Sequence, residues 1–241
     1  MDNKTLVIYM QRDYRRDWQQ CPVGRIPSKE KLPGFLFGLL EKEMAKTVLD
    51  LGCGIGKFAI GLYNRGYSVV GVDINKEAVK SAKAESQKAI NPASGNYLKF
   101  YAADAIALEL KEAPFDAVLM QLLISIIGGP AERRELLHAA RALLKQGGLL
   151  YLSASGVSGG INPKYAETYE KDFPLTGEKH TYFSRDADGK VLYATHHFTG
   201  KELRELLSAE FKEIKIRKAR EASSRRPEEA AYFLYATAKA K

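Results

Sequence analysis

Apolar residues along this chain repeat with two periods. Short runs rich in Val, Leu, Ile and aromatic residues, at Thr47–Leu51, Ser68–Asp73, 97–102, 115–120 and 149–153, read as strands buried on both sides. Between them the spacing is helical. Phe35, Leu36, Leu39, Leu40 and Met44 predict a helix over 33–45, leading into the first strand. A second helix runs over 57–64, with Gly66 as its stop, and a third over 76–89, with Ala78, Val79 and Ala82 on one side. Residues 91–95 (Asn-Pro-Ala-Ser-Gly) are a loop. Pro130 opens a fourth helix whose apolar face is Leu136, Leu137, Ala140, Leu143 and Leu144, and Gly147-Gly148 is read as its stop. Strands alternating with helices predict an α/β fold with a mostly parallel sheet and helices on both faces.

The flanking segments break this alternation. Residues 1–31 are polar, aromatic and charged, and Pro22, Gly24 and Pro27 interrupt any period. Trp18 and the tyrosines argue for an arm packed on the domain, with Ser28 capping a turn into Leu32. Residues 156–198 show no helical period at their start. Further on, 181–185 and 190–198 flank Asp186-Ala187-Asp188-Gly189, a hairpin signal. Thr199 and Glu202 form a capping box ahead of Leu203, Leu206 and Leu207. Two last strands, at 213–218 and 231–238, are joined by a charged loop of about a dozen residues; no crossover helix fits, so they pair antiparallel.

The 241 residues, 45% of them hydrophobic, support one core and one domain. No apolar run reaches the ~18 residues of a membrane span, and the N-terminus lacks a secretory pattern. Two cysteines make no disulfide framework and suit a reducing, cytoplasmic setting. The net charge of +8 is compatible with an anionic partner. Most basic residues are interspersed with acids; the exception is 212–226, with Lys212, Lys215, Arg217, Lys218, Arg220, Arg225 and Arg226 against Glu213 and Glu221.

Candidate chemistry gathers at strand ends, where ligands of wound α/β sheets bind. The first strand runs through Asp50 into Gly52-Cys53-Gly54-Ile55-Gly56, a turn whose glycines admit positive φ and close approach of a ligand to the backbone. The second ends in Asp73, the third runs out into Asp104 and Ala105, and the fourth ends at Gln121. A carboxylate after the second strand suits ribose hydroxyls, and one nearer the base suits an exocyclic amine. Two cofactors match. Gly54-x-Gly56-x-x-Ala59, with Asp73 about twenty residues on, meets the dinucleotide fingerprint. Singly, Asp50 and Asp104 also read as helix caps, and Asp73 as the start of an Asx turn.

The second cofactor is S-adenosylmethionine, because the sequence resembles the class I S-adenosylmethionine-dependent methyltransferases. Asp50-x-Gly52-x-Gly54-x-Gly56, Asp73 with Ile74, Asp104, and Leu144-Lys145-Gln146-Gly147-Gly148 before strand five carry the likeness, strongly over 45–155 and loosely over 199–240. The resemblance implies a seven-stranded sheet of order 3-2-1-4-5-7-6 with the last strand in sequence reversed. It implies a cofactor site of Asp50, Gly52, Cys53, Gly54, Gly56, Asp73, Ile74, Asp104, Ala105 and Gln121, with S-adenosylhomocysteine as product and no metal. Cys53 is read as a small turn residue, not a nucleophile.

Gln121-Leu122-Leu123-Ile124 replaces the Pro-Pro-Tyr-type motif of base and glutamine amino-methylases, and Cys21-Pro22 lies in the arm, far from strand four. Both chemistries are discounted. The expected reaction is methyl transfer to an oxygen or nitrogen of a small molecule, because 1–31 and 156–198 are the irregular insertions near the binding edge. The division is a lid at 1–31, a cofactor core at 32–155, a substrate cap at 156–198 and a closing unit at 199–241. Tyr14, Trp18 and Arg25 are lid candidates. His196 and His197 are candidate bases; neighbours on a strand face opposite ways, so at most one serves. RNA is the alternative acceptor, resting on 212–226. A nicotinamide-dependent oxidoreductase or a non-catalytic binding module is the remote one.

Overall fold

A computed structural model describes residues 13–25, 33–90, 95–223 and 228–241. In chain order it holds α1 (Tyr14–Gln19), a 3₁₀ turn (Val23–Arg25), α2 (Gly34–Lys42), β1 (Thr47–Leu51), α3 (Lys57–Tyr63), β2 (Ser68–Asp73), α4 (Lys76–Ser86), β3 (Leu98–Ala102) and β4 (Phe115–Gln121). It continues with α5 (Pro130–Ala142), β5 (Leu144–Gly156), α6 (Pro163–Thr176), β6 (Thr181–Arg185), β7 (Val191–His196), α7 (Gly200–Ser208), β8 (Phe211–Ala222) and β9 (Ala230–Ala240). Seven strands form one sheet in the order β3-β2-β1-β4-β5-β9-β8, and β6 and β7 form a separate hairpin. Counting the strands of the large sheet alone, this is the expected 3-2-1-4-5-7-6. β1 to β5 are parallel neighbours, and β9 runs antiparallel to both β5 and β8.

The strands are apolar on both faces because helices cover both. Leu49, Leu51, Val70, Val72, Val118 and Met120 point to a core closed by Leu136, Leu137 and Ala140 of α5 and Leu203 and Leu207 of α7. Val48, Val69, Ala117 and Leu119 point the other way, against Leu36 and Leu40 of α2, Ala59 and Leu62 of α3, and Val79 and Ala82 of α4. At the amino edge, Asp116 stitches three strands. Its Oδ2 accepts from the Lys46 and Thr47 amides (2.8 and 2.9 Å), and its Oδ1 from Lys145 Nζ (2.6 Å).

Three expectations are corrected. Gly147-Gly148 does not stop α5, which ends at Ala142; Gly147, at φ +71°, lies inside β5. The pairing of β4 with β5 jumps there from Phe115↔Leu144 to Ala117↔Leu149, so the glycines carry a bulge. Residues 156–198 contain a full helix, α6, started by Asn162, whose side chain accepts from the Lys164 amide, and by Pro163. Its buried face is Tyr165, Tyr169, Asp172 and Leu175, a helical spacing disguised by polar residue types and by Pro174. The final strands are longer than 213–218 and 231–238, leaving residues 223–229 between them. Pairing continues because β9 offers β8 a full row of backbone partners.

The basic stretch is therefore largely the outer edge strand β8, where Lys212, Lys215, Arg217, Lys218 and Arg220 are exposed. Charges on an edge block pairing with another chain. Lys218 also sits 3.5 Å above the Tyr232 ring. Arg225, Arg226, Ser28 and the 91–94 loop lie outside the described residues.

Candidate functional site

β1 hands the chain to the glycine turn at the carboxyl edge of the sheet. Gly52, Gly54 and Gly56 have φ of +74°, +53° and +80°. At Gly52 a Cβ would lie 3.0 Å from Leu123 Cδ1, and at Gly56 it would lie 2.9 Å from both Ala82 Cβ and Phe100 Cζ. The Gly52 and Cys53 amides donate to the Val72 carbonyl (2.8 and 3.0 Å), which pins the turn to β2. The Gly54 amide donates to Asp73 Oδ2 (2.8 Å), while Asp73 Oδ1 accepts from the Asn75 amide (2.9 Å). Each Asp73 oxygen keeps acceptor capacity beyond its one amide. Burial pushes the Asp73 carboxyl up, against those two amides.

A cavity of about 60 Å³ opens beside this turn. Its wall includes Gly52, Asp73, Ile74, Asp104, Ala105 and Gln121, with Tyr14 and Trp18 of the arm across it. Val72, Ala103, Leu123, Ile126 and Ile127 complete an apolar slot with a carboxylate at each side. Asp50, Cys53, Gly54 and Gly56 do not line it. The Cys53 side chain is buried in the core shared with Ala82 and Phe100, and burial raises its thiol well above the ordinary range, so it contributes backbone alone.

Asp50 shares the α3-side face of β1 with Val48. It is 1% exposed, and neither carboxylate oxygen makes a well-formed hydrogen bond. Burial first, then the Asp73 charge, raises it to about 7, against a weak lowering by the Ala59 amide. The Tyr14 hydroxyl is the other buried polar group without a partner among the described residues. Both orphans lie at this edge of the sheet. A buried polar group left unpaired costs about 1–3 kcal/mol, and of the two only Tyr14 lines the slot, where a polar ligand could meet its hydroxyl.

The arm is fastened over the slot. Arg15 Nε donates to Asp104 Oδ2 (2.6 Å), Trp18 Nε1 donates to the Ile126 carbonyl (3.2 Å), and Asn75 Nδ2 donates to the Trp18 and Cys21 carbonyls (2.9 and 2.8 Å). The Trp18 ring lies 4.2 Å, centroid to centroid, from Tyr193 of the hairpin.

A second cavity, of about 380 Å³, adjoins the first across Leu122 and Ile126, which line both. Tyr165 of α6, Tyr182 and Phe183 of β6, Tyr193 of β7, His197, Ser125 and Ser155 are in its wall, and Arg25 belongs to it rather than to the slot. Of the two adjacent histidines, only His197 lines it. His196 is tied elsewhere: its Nδ1 is 2.7 Å from Thr181 Oγ1 and its Nε2 is 2.9 Å from Glu202 Oε1. Glu178, His196 and Glu202 could in principle hold a cation. Buried Arg133 already takes that place, donating to both Glu178 oxygens (2.6 and 3.0 Å).

Sequence reading missed Tyr165, Tyr169 and Tyr182, which surround His197; the tyrosine spacing of α6 was the available signal.

A methyltransferase-domain family profile matches residues 49–152, the stretch from Leu49 through the turn to β5. A solved S-adenosylmethionine-dependent methyltransferase from Methanosarcina mazei superposes with a TM-score of 0.77 at 28% identity, over 87% of this chain and 98% of that one. Residues 49–152 therefore carry a methyltransferase domain, and the chain is similar to S-adenosylmethionine-dependent methyltransferases of class I over most of its length.

The chain also shares the fold of magnesium protoporphyrin IX methyltransferase from Synechocystis PCC 6803, solved with S-adenosylhomocysteine bound. That TM-score is 0.60 at 19% identity, over 99% of this chain and all of that one (100%). Among curated proteins it is 32% identical over 131 residues to a ribosomal protein L11 methyltransferase of Edwardsiella ictaluri (strain 93-146). That match covers 54% of this chain and 40% of the relative, so the chain spans about two fifths of the length of the curated relatives it matches. The slot combines apolar walls with the carboxylates of Asp73 and Asp104.

Proposed function

We propose that this protein transfers a methyl group from S-adenosylmethionine to a small molecule held in the 380 Å³ cavity. The observation that carries the reading is the adjacency of the two cavities across Leu122 and Ile126. The larger one falls within the ~300–1,000 Å³ of small-molecule pockets. When bound, S-adenosylmethionine supplies a methyl group already electrophilic on its sulfonium. The residues then have to hold and align. Asp73 accepts from the ribose hydroxyls, Gly52 leaves room for the chain beside Leu123, and Leu122 and Ile126 separate the two ligands except at the point of transfer. Trp18 and Tyr14 cover the slot from solvent.

The expected general base is not supported. Burial and the neighbouring His196 and His180 hold His197 down at about 3, so it stays neutral at pH 7 and is a poor proton acceptor.

The test is a screen for S-adenosylhomocysteine release against pooled metabolites, RNA and purified ribosomal protein L11, the last because of the curated relatives' name. Release with metabolites alone supports the reading; release only with RNA or L11 overturns it. Asp73→Ala is expected to weaken S-adenosylmethionine binding at least 10-fold by calorimetry, the loss of one or two charge-assisted hydrogen bonds.

A further inference from the structure

The ring of His197 is held by two tyrosines from opposite sides. Tyr169 Oη is 2.6 Å from Nδ1, and Tyr182 Oη is 3.4 Å from Nε2. Tyr182 lines the larger cavity and Tyr169 does not, so Nε2 is the cavity-side nitrogen. The Tyr169 oxygen also accepts from the Ser158 amide at 3.3 Å. Its own proton then needs an acceptor, and His197 Nδ1 is the one in reach. A hydroxyl that donates to Nδ1 leaves the single proton of a neutral imidazole on Nε2. Ser158 is itself fixed, its Oγ donating to the Gly156 carbonyl (2.7 Å) and accepting from the Tyr232 amide (2.8 Å).

The chain Ser158 → Tyr169 → His197 therefore ends in one N–H on the cavity side, where Tyr182 Oη of the wall lies 3.4 Å from Nε2. The groups facing this ring are Tyr165 and Tyr169 of α6, Tyr182 of β6, and the imidazoles of His180 and His196. No carboxylate is among them, and burial drives the ring toward neutrality. Among the described residues, the charged members of the cavity wall are Arg25, Lys171, Arg185 and Asp186. Asp172, 0% exposed, neutralises Arg185 through two contacts of 2.8 and 2.7 Å, and the remaining Asp186 carboxylate offsets only one of the two other cations. The exposed Arg25 and Lys171 leave the mouth electropositive.

We infer that His197 is a fixed Nε2–H donor that orients the methyl acceptor, and that the acceptor presents a carboxylate or similar oxyanion to it from an aromatic body. This rests on the reading of the cavity as the acceptor site. The aromatic wall of Tyr165, Tyr182, Phe183 and Tyr193 suits a planar ring, and a single N–H amid hydroxyls suits an oxygen acceptor and disfavours an ammonium.

Two measurements on the full chain test it. Long-range ¹H–¹⁵N correlation of the histidine rings is expected to show His197 with Nε2 protonated and Nδ1 bare at every pH from 5 to 8. Tyr169→Phe removes the donor and is expected to let the neutral ring populate the Nδ1–H tautomer. An Nδ1–H tautomer, or a titration midpoint between pH 6 and 7 in the unmutated protein, would overturn the assignment. Calorimetric titration with benzoate, benzamide and benzylamine as probes is expected to rank them in that order, benzoate at least 10-fold tighter than benzylamine. His197→Ala is expected to lose about 10-fold for benzoate and His197→Gln, which keeps an N–H near the same place, to retain most of it. Equal affinities, or benzylamine first, overturn the acceptor class. S-adenosylmethionine binding, measured separately, decides the methyl-transfer reading independently of the ring tautomer.

Discussion

At the scale of single residues, the orphaned groups are the informative ones. The Tyr14 hydroxyl is buried against the slot with no partner among the described residues, and burial raises it further from ionisation. Removing it costs the apo protein nothing that the fold uses. Tyr14→Phe is expected to raise apo stability by about 1 kcal/mol and to weaken S-adenosylmethionine severalfold; thermal unfolding with and without the cofactor reads both. A variant whose apo stability falls would mean that the hydroxyl is satisfied within the protein. The acids and glycines of this edge were legible in the sequence because each sits at a strand end, and strand ends follow from the apolar runs. The orientation of each side chain was not. Cys53 turns into the core because its position in the turn faces Gly71, where a Cβ would lie 3.1 Å from its sulfur. His197 rather than His196 reaches the cavity because His196 is claimed by Thr181 and Glu202, partners distant or inconspicuous in sequence.

At the scale of elements, two assemblies hold the site in shape. One is α1, fastened by Arg15–Asp104 and by the Trp18 indole. The slot of about 60 Å³ is below the ~300 Å³ at which ligand pockets usually begin, so entry of the cofactor is expected to displace α1. Trp18 is the chain's single tryptophan. Its emission is therefore expected to change on titration with S-adenosylhomocysteine, and Arg15→Ala to shift the apo emission to the red and to weaken binding about 3-fold. Emission indifferent to the ligand would separate the arm from the site. The other assembly is Arg133–Glu178–His196–Glu202, which joins α5, the turn before β6, the end of β7 and α7. Arg133 is 3% exposed, so Glu178→Ala strands a buried cation and is expected to cost about 3–5 kcal/mol, seen in urea midpoints, with the S-adenosylmethionine affinity of the folded fraction unchanged. Elements built on aliphatic periodicity were readable from sequence almost to the residue, as β1 and β2 are. α6 was not, because its buried face is tyrosine and aspartate: Asp172 is inside because Arg185, thirteen positions on, and the Phe183 amide meet it.

At the scale of the whole molecule, two of the perturbed buried groups, Asp50 and His197, act on stability in opposite senses. Asp50 titrates at about 7 in the fold and near 3.8 in an open chain. Between these values the folded state holds a proton that the unfolded state has released, so stability falls as pH rises through the window. His197 titrates at about 3 in the fold and near 6.5 in an open chain. Between those values the unfolded state holds the extra proton, so stability rises with pH until about 6.5. The windows overlap over pH 4 to 6.5, where each slope approaches ~1.4 kcal/mol per pH unit and the two cancel. The unmutated apo protein is therefore expected to have a plateau there, a loss toward acid, to which Asp116 at about 2 adds, and a shallow loss from pH 6.5 to 7.5. Single substitutions remove one slope and expose the other. Asp50→Asn should gain stability steadily from pH 4.5 to 6.5 and then level off; His197→Gln should lose stability over the same range. Denaturation midpoints at four pH values decide it, and parallel profiles for both variants would refute the pairing. The cofactor adds the last step. A ligand bringing a sulfonium and an ammonium to this edge favours the ionised Asp50, so below pH 7 its binding expels a proton. Affinity for S-adenosylmethionine should then rise with pH up to about 7 and flatten above, and calorimetry in buffers of different ionisation enthalpy should register that proton in the unmutated protein and not in Asp50→Asn.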